Sequence, residues 1–126
     1  METVFIDTHV VIWLFLNDKN KFSSKAVALI EKSELVVPAI VITELGLLYE
    51  IKRINYTPQQ ILDSLQQTIG VKISHLSFEK VAFKSTEILW TRDPFDRLIT
   101  ATAMLDNAKL ITKDQMILEN YENAVW

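Results

Sequence analysis

Short runs of β-branched and other apolar residues alternate with amphipathic stretches along this chain of 126 residues. The runs have the length of buried strands, and the stretches between them show the apolar spacing of helices. We predict strands at residues 4–6, 35–38, 71–73 and 109–112, with a possible edge strand at 124–126. We predict helices at residues 10–16, 24–32, 39–52, 58–70, 78–89, 95–105 and 115–120. Strands that alternate with helices in this way predict an α/β fold, with a central parallel sheet flanked by α-helices on both faces.

Local signals mark the ends of several predicted helices. Ser23 or Ser24 can cap the helix that runs to residue 32. Thr57 precedes Pro58 and stands three residues before Gln60, which is the pattern of a capping box with proline in the first turn. Gly70 suits the conformation that ends a helix. These signals support the predicted order of elements.

Length and composition predict one globular domain, residues 1–126. Hydrophobic residues make up 49% of the chain and charged residues 23%, which is typical of a protein with a compact core. The absence of Cys excludes a disulfide framework and a thiolate nucleophile. There is no basic signal-peptide region, and the apolar stretch at residues 10–16 is too short to span a bilayer, so we expect a soluble, cytoplasmic protein. The net charge of −3 gives no global sign of nucleic-acid binding.

Four acidic residues are predicted to lie at one edge of the sheet. Asp7 follows the first strand, and Glu44 lies early in the helix after the second strand. Asp96 lies at the start of the helix at residues 95–105, and Asp114 follows the strand at 109–112. The carboxyl ends of parallel strands and the amino ends of the following helices share the edge at which open α/β folds bind ligands. We therefore expect these carboxylates to meet there.

Helix capping is the structural alternative for most of these acids. Asp7 and Asp114 each precede a predicted helix, and Asp is a preferred N-cap residue. Asp93 suits a cap ahead of Pro94, and the helix dipole favours an acid at Asp96. Capping alone could therefore explain several acids at helix starts.

Glu44 has the weakest structural explanation, because its helical neighbours are apolar: Ile40, Val41, Leu47, Leu48 and Ile51. Burial of an unpaired carboxylate is costly, so we expect a compensating cation or proton. Arg97 could form an ion pair, but a pair would neutralise one acid only. Four converging carboxylates without Cys or a His cluster favour a hard divalent ion such as Mg²⁺ or Mn²⁺.

Four motifs in this order resemble those of the PIN domain: "FIDTHVVIW", "VPAIVITEL", "RDPFDRLITATA" and "LITKD". The DPFDR form in a chain of this length resembles the VapC-type toxins of bacterial toxin–antitoxin pairs. The resemblance spans essentially the whole chain. It places the conserved acidic quartet of the family, as catalytic and metal-binding residues, at Asp7, Glu44, Asp96 and Asp114. Thr8 and Thr112 match the small hydroxyl residues beside the first and last acids, and Asp93 is interpreted as a cap or a supporting residue.

The resemblance implies an Mg²⁺- or Mn²⁺-dependent endoribonuclease that hydrolyses RNA phosphodiesters with metal-activated water. It also implies a homodimer and a small antitoxin protein that covers the groove of the active site. For Arg97 two roles stay open: an i,i+4 partner of Asp93 or a contact with phosphate. His9 lies near the same edge and could touch substrate, although a lone His is more often a surface or packing residue. Trp13 and Trp90 are interpreted as core or interface residues rather than as platforms for base stacking.

Other functions fit the sequence less well. A receiver-type phosphoacceptor domain needs adjacent acids after the first strand and an Asp after the third, but Asp7 stands alone and residues 73–75 contain no acid. A haloacid-dehalogenase-type phosphatase needs a second acid at the position of His9. A non-catalytic PIN-like module for protein interaction remains the alternative, although such a module would have little reason to keep Glu44 on an apolar helix face.

Overall fold

The computed structural model describes residues 1–126, which form an α/β fold around one sheet of five strands. The strands are β1 (Glu2–Ile6), β2 (Ser33–Val37), β3 (Lys72–Ile73), β4 (Lys109–Ile111) and β5 (Ala124–Val125). Their order in the sheet is β3-β2-β1-β4-β5, and every neighbouring pair is parallel. The predicted parallel sheet is confirmed. Its two outermost strands are only two residues long, which leaves little unpaired edge for association.

Seven α-helices connect the strands. They are α1 (Thr8–Phe15), α2 (Ser24–Lys32), α3 (Ile40–Glu50), α4 (Pro58–Ile69), α5 (Phe78–Ser85), α6 (Pro94–Leu105) and α7 (Gln115–Asn120). A short 3₁₀ turn (Lys19–Lys21) occupies the polar stretch between α1 and α2. The capping box of Thr57 and Gln60 is confirmed at the start of α4, and Gly70 ends that helix with a left-handed φ of 69°.

Helix α5 is shorter than the sequence predicts: it ends at Ser85, whereas the prediction extended it to residue 89. The hydroxyl groups of Ser85 and Thr86 donate hydrogen bonds to the carbonyl oxygens of Ala82 and Phe83, at 2.6 Å in each case. Such local bonds compete with the backbone ladder of a helix. After this turn Ile88 is buried in the core, whereas Leu89 points outward and is 79% exposed.

The central strands are buried on both faces. Val4, Phe5 and Ile6 are consecutive in β1 and at most 1% exposed. Since successive residues of a strand point to opposite faces, both faces must be covered, and the predicted layers of helices supply that cover. The buried strand residues belong to one core cluster with residues of α1, α3, α4 and α6.

The order of the strands reverses beside β1. The chain moves outward through β2 and β3, then returns so that β4 pairs with the other side of β1. Helices that leave β1 and β4 at such a switch point diverge and leave a crevice at the carboxyl ends of the strands. None of the helices has both the length and the apolar content needed to cross a membrane.

Candidate active site

A cleft of about 350 Å³ opens at the carboxyl ends of β1 and β4. Five acidic side chains from four segments of the chain line it: Asp7, Glu44, Asp93, Asp96 and Asp114. The other lining residues are Thr8, His9, Trp13, Ile99 and Lys113. The four acids expected to meet at this edge therefore share one cleft, together with Asp93.

Asp7 directly follows β1 and is 6% exposed. Its Oδ1 accepts a hydrogen bond from the backbone N–H of Val10 at 3.1 Å, so Asp7 is also the N-cap of α1. Its Oδ2 accepts a hydrogen bond from the hydroxyl of Thr112. Burial raises the pKa of Asp7 above its ordinary value, and these two hydrogen bonds oppose that rise. The capping role and the position in the cleft are compatible.

Thr112 connects two of the acids. It follows β4, is fully buried, and donates its hydroxyl hydrogen to Asp7. Its Oγ1 accepts a hydrogen bond from the backbone N–H of Asp114 at 3.0 Å. Asp114 in turn caps α7, because its Oδ1 accepts from the N–H of Ile117 at 3.0 Å. One hydroxyl thus holds the ends of β1 and β4 in a fixed relation.

Glu44 is half-buried on α3, and its Oε1 accepts a hydrogen bond from Thr8 Oγ1 at 2.5 Å. The apolar face on which Glu44 lies is only partly covered by the core. Val41 and Leu45 are buried, but Leu47 is 42% exposed and Ile51 51% exposed. Glu44 therefore lies where the buried part of α3 meets the open cleft.

Asp93 and Asp96 lie at the start of α6. Asp93 is the N-cap, and its Oδ1 accepts from the N–H groups of Phe95 at 2.8 Å and of Asp96 at 3.3 Å. The pKa of Asp96 rises to about 7 because of burial first, and then because of the negative charges of Asp93, Asp114, Glu44 and Asp7. The carboxyl group of Asp96 is thus near enough to all four others to be affected by their charge.

Arg97 forms neither of the ion pairs considered for it. Its Nε donates a hydrogen bond to the backbone carbonyl oxygen of Thr91 at 2.6 Å. The three salt bridges of the chain involve neither Arg97 nor any acid of the cleft. Arg97 is half-buried, and its guanidinium binds a backbone carbonyl group of the loop before α6. Arg97 does not line the cleft. A contact between Arg97 and phosphate stays a prediction.

The charges of the cleft are unbalanced: five carboxylates face one lysine, Lys113. Three of the acids, Asp7, Asp93 and Asp114, cap helices whose amino ends carry partial positive charge, but this offsets only part of the repulsion. No three acidic or His side chains converge closely enough to form a ready-made ligand set. An ion held by one or two carboxylates, with water as its other ligands, is the mode typical of Mg²⁺. The oxygen donors and the excess negative charge fit such an ion.

Three further residues that the sequence reasoning did not select as site residues also line the cleft, although His9 was considered as a possible contact with substrate. His9 lies at the cleft and is exposed. Trp13 packs on the core as predicted, but it also lines the cleft. Lys113 directly precedes Asp114. The i,i+4 spacing of His9 and Trp13 after Asp7 was the available signal, since it places both on one face of α1.

Comparisons with known proteins agree with this fold. The PIN domain family model matches residues 4–123. The chain is 34% identical over 123 residues to a protein named Ribonuclease VapC22 from Mycobacterium tuberculosis (strain ATCC 25618 / H37Rv), covering 93% of this chain and 91% of that protein. VapBC2 from Rickettsia felis, solved with a DNA fragment from its promoter, has a TM-score of 0.68 at 17% identity and covers 98% of this chain and 97% of its own. A toxin-antitoxin complex from Klebsiella pneumoniae has a TM-score of 0.67 at 20% identity and covers 98% and 96% respectively.

Proposed function

The chain belongs to the PIN domain family, and we propose that it is a divalent-metal-dependent endoribonuclease, the toxin of a VapBC-type toxin–antitoxin pair. The observation that carries the proposal is the meeting of Asp7, Glu44, Asp96 and Asp114, from four distant segments, in one cleft. The similarity to a protein named as a ribonuclease, at 34% identity over nearly the full chain, supports the choice of RNA as substrate. Residues 1–126 form the nuclease domain.

The acidic quartet, Asp7, Glu44, Asp96 and Asp114, would hold Mg²⁺ or Mn²⁺. A bound divalent ion lowers the pKa of water and offsets the negative charge of a scissile phosphate, so that no side-chain nucleophile is needed. This agrees with a chain that has no Cys and has only His9 among its two His residues at the cleft.

The remaining polar residues position these carboxylates. Thr8 orients Glu44, and Thr112 orients Asp7 while it anchors the backbone of Asp114. Asp93 fixes the start of α6 and adds negative charge beside Asp96. Since each hydroxyl donates to a carboxylate oxygen, it limits side-chain rotation and keeps that carboxylate directed at the cleft.

An antitoxin partner is supported by the similarity of the fold to toxins solved as toxin–antitoxin complexes. Leu47 of α3 and Ile51, which follows the helix, are exposed apolar residues three and seven positions after Glu44, and they offer a surface for such a partner. We also infer a homodimer. Phe78 and Phe83 of α5 and the nearby Leu89 are 66%, 70% and 79% exposed, which is unusual for large apolar residues unless a partner covers them.

The test is RNA hydrolysis by the purified chain free of any antitoxin. RNA should be cleaved in Mg²⁺ or Mn²⁺, and EDTA should abolish cleavage. The Asp7→Asn variant, purified by the same steps, controls for contaminating nucleases. Cleavage that survives chelation, or that Asp7→Asn retains, would contradict the mechanism. A folded chain that binds a partner and never cuts RNA would instead support the non-catalytic PIN-like interaction module.

A further inference from the structure

We propose that Trp13 stacks against one unpaired base of the RNA at the mouth of the acidic cleft, with Lys113 beside it to contact an adjoining phosphate. The inference rests on the proposed function in taking RNA as the ligand. It concerns two residues outside the acidic quartet, and it specifies the substrate as single-stranded at this position.

Trp13 is the apolar surface that a ligand in the cleft would meet. Among the ten lining residues only Trp13 and Ile99 are hydrophobic, and Ile99 is almost fully buried. Trp13 is half-buried, so part of its indole ring remains open. It lies one helical turn after His9, and the centroids of the two rings are 5.8 Å apart. The ring therefore stands at the same opening as the acids.

Two aromatic side chains hold the indole in place. The ring of Phe22 meets it edge-on, with centroids 6.1 Å apart and planes at 89°. The ring of Trp126 meets it at 62° with centroids 5.8 Å apart. Phe22 and Trp126 also stack on each other, with centroids 5.6 Å apart. A ring held in this way loses little freedom when a base stacks on it, so less of the stacking free energy is offset by entropy.

Positive charge is grouped around the same ring. The Nζ atoms of Lys21 and Lys113 each lie 5.9 Å from the centroid of Trp13, and Lys113 is equally far from that of Trp126. Lys113 is the only lysine or arginine that lines the cleft. A phosphodiester that enters beside five carboxylates needs such a cation. An aromatic face with an adjacent positive charge is the combination by which proteins hold single-stranded nucleic acid.

The surroundings of Trp13 favour a base over an apolar protein side chain. Protein partners anchor apolar side chains in pockets that are themselves apolar and free of water. Another side of Trp13 lines a mainly apolar groove with Leu14, Phe22, Val27 and Ile30, but on the side of the acidic cleft the lining residues are carboxylates, Thr8, His9 and Lys113, apart from the buried Ile99. A base presents a π face to the indole and polar edges to these groups. The base must be unpaired, because bases inside a duplex already stack on both faces.

The test is a thermodynamic cycle between one side chain and one base. Fluorescence anisotropy measures the binding of a fluorescein-labelled, unstructured RNA. The RNA is about ten nucleotides long, which is within the range that single-strand-binding folds contact. All measurements use the full chain with Asp96→Asn and Mg²⁺, so that turnover does not interfere. The RNA is compared with a set in which each position in turn is abasic. The protein carries Trp13, Trp13→Leu or Trp13→Phe, and Trp90→Leu is the matched control away from the cleft.

Trp13→Leu should weaken binding by about 5- to 150-fold, which corresponds to the loss of one stacked base from its aromatic partner, and Trp13→Phe should restore most of the affinity. Trp90→Leu should leave the affinity unchanged. For one RNA of the set, the abasic position should weaken binding to the protein with Trp13. The same RNA should cause no further loss of affinity in Trp13→Leu. Because the Phe variant keeps an aromatic face, its rescue separates stacking from a general effect on folding, which melting temperatures check for every variant.

Lys113 has a separate readout in the dependence of binding on salt. Lys113→Met should lower the slope of log affinity against log salt concentration by about 0.7, the value for one phosphate contact with a single strand. Lys80→Met, at an exposed position of α5, is the matched control and should leave the slope unchanged.

Several outcomes would overturn the inference. These are absence of RNA binding by the Trp13 protein, equal affinity of Trp13→Leu, abasic penalties that are the same in both proteins at every position, and an unchanged salt slope in Lys113→Met. The proposed function is judged separately, by hydrolysis in the protein with Asp96 intact. RNA that is bound through Trp13 but never cut would support the stacking site and contradict the nuclease. RNA that is cut equally well without Trp13 would support the nuclease and contradict the stacking site.

Discussion

The hydroxyl of Thr112 donates a hydrogen bond to the carboxylate of Asp7 across the boundary between β4 and β1, joining residues 105 positions apart. The same oxygen accepts from the N–H of Asp114. Thr112→Val, which keeps the shape but removes the hydroxyl, should lower the free energy of unfolding by about 1–3 kcal/mol, the cost of leaving buried polar groups without partners. It should also weaken the stabilisation by Mg²⁺, because Asp7 loses its orientation. Chemical denaturation with and without Mg²⁺ measures both effects.

Thr100 provides the matched control. It is equally buried, but its Oγ1 has no hydrogen-bond partner. Thr100→Val should therefore leave stability unchanged or raise it slightly, since it removes an unsatisfied polar group. Equal losses in the two variants would mean that the bond from Thr112 contributes nothing specific.

The acids should differ sharply in their effect on hydrolysis. Asp7→Asn, Glu44→Gln, Asp96→Asn and Asp114→Asn should each lower the rate of RNA cleavage by orders of magnitude, because each removes a carboxylate that holds the ion directly, holds its bound water or attracts it by charge. Asp93→Asn should cost far less, because Asn caps a helix nearly as well as Asp. Initial rates under single-turnover conditions make the comparison. A loss at Asp93 as large as that at Asp96 would show that Asp93 ligates the ion directly.

Removal of one charge should stabilise the metal-free protein. Burial first, and then the negative charges of the neighbouring carboxylates, raise the pKa of Asp96, so its ionised form is disfavoured in the fold. Asp96→Asn should therefore melt at a higher temperature than the wild type in EDTA, and Glu44→Gln should do the same to a smaller extent, because its amide can lack partners. Mg²⁺ should raise the melting temperature of the wild type by mass action and that of the variants much less.

Asp63→Asn is the matched control for these melting experiments, since Asp63 is exposed on α4 and far in sequence from the quartet. Its response to Mg²⁺ should equal that of the wild type. The same Mg²⁺ response in the wild type, Asp96→Asn and Glu44→Gln would contradict a shared ion site and would return these acids to purely structural roles.

The metal-free protein should lose stability as the pH rises. The pKa of Asp96 is about 7 in the fold, against about 4 in an unfolded chain. Between these values the folded state binds more protons than the unfolded state, so the free energy of unfolding falls from about pH 4 to about pH 7 and levels off above that. The raised pKa of Asp7 acts in the same direction. Urea titrations in EDTA at several pH values measure the slope, which Asp96→Asn should reduce. A slope of the opposite sign in the wild type would contradict the charge repulsion inferred for the cleft.

Local features of the fold were predictable from the sequence because they depend on a few neighbouring residues. The capping box of Thr57 and Gln60, the left-handed Gly70 and the cap at Asp93 each involve contacts within three or four positions. The alternation of strands and helices then predicted which acids stand at the carboxyl edge, since every parallel strand ends there. Helix α5 was predicted too long from its apolar periodicity. The hydroxyl groups of Ser85 and Thr86 bind carbonyl groups of its last turn, and such bonds compete with the backbone hydrogen bonds that would continue the helix.

What the sequence by itself determined was the set of elements and the kinds of residue at their ends. The tertiary structure decided which of these residues meet. The bond from Thr8 to Glu44 spans 36 positions, and the bond from Thr112 to Asp7 requires β4 to lie beside β1, which the alternation of elements does not specify. In the same way, the packing of Trp13 in the first helix against Trp126 at the last position depends on how whole layers pack. The local sequence pattern shows which face of an element is apolar. Long-range partners follow from strand order and register, and strand order and register depend on the packing of the complete core.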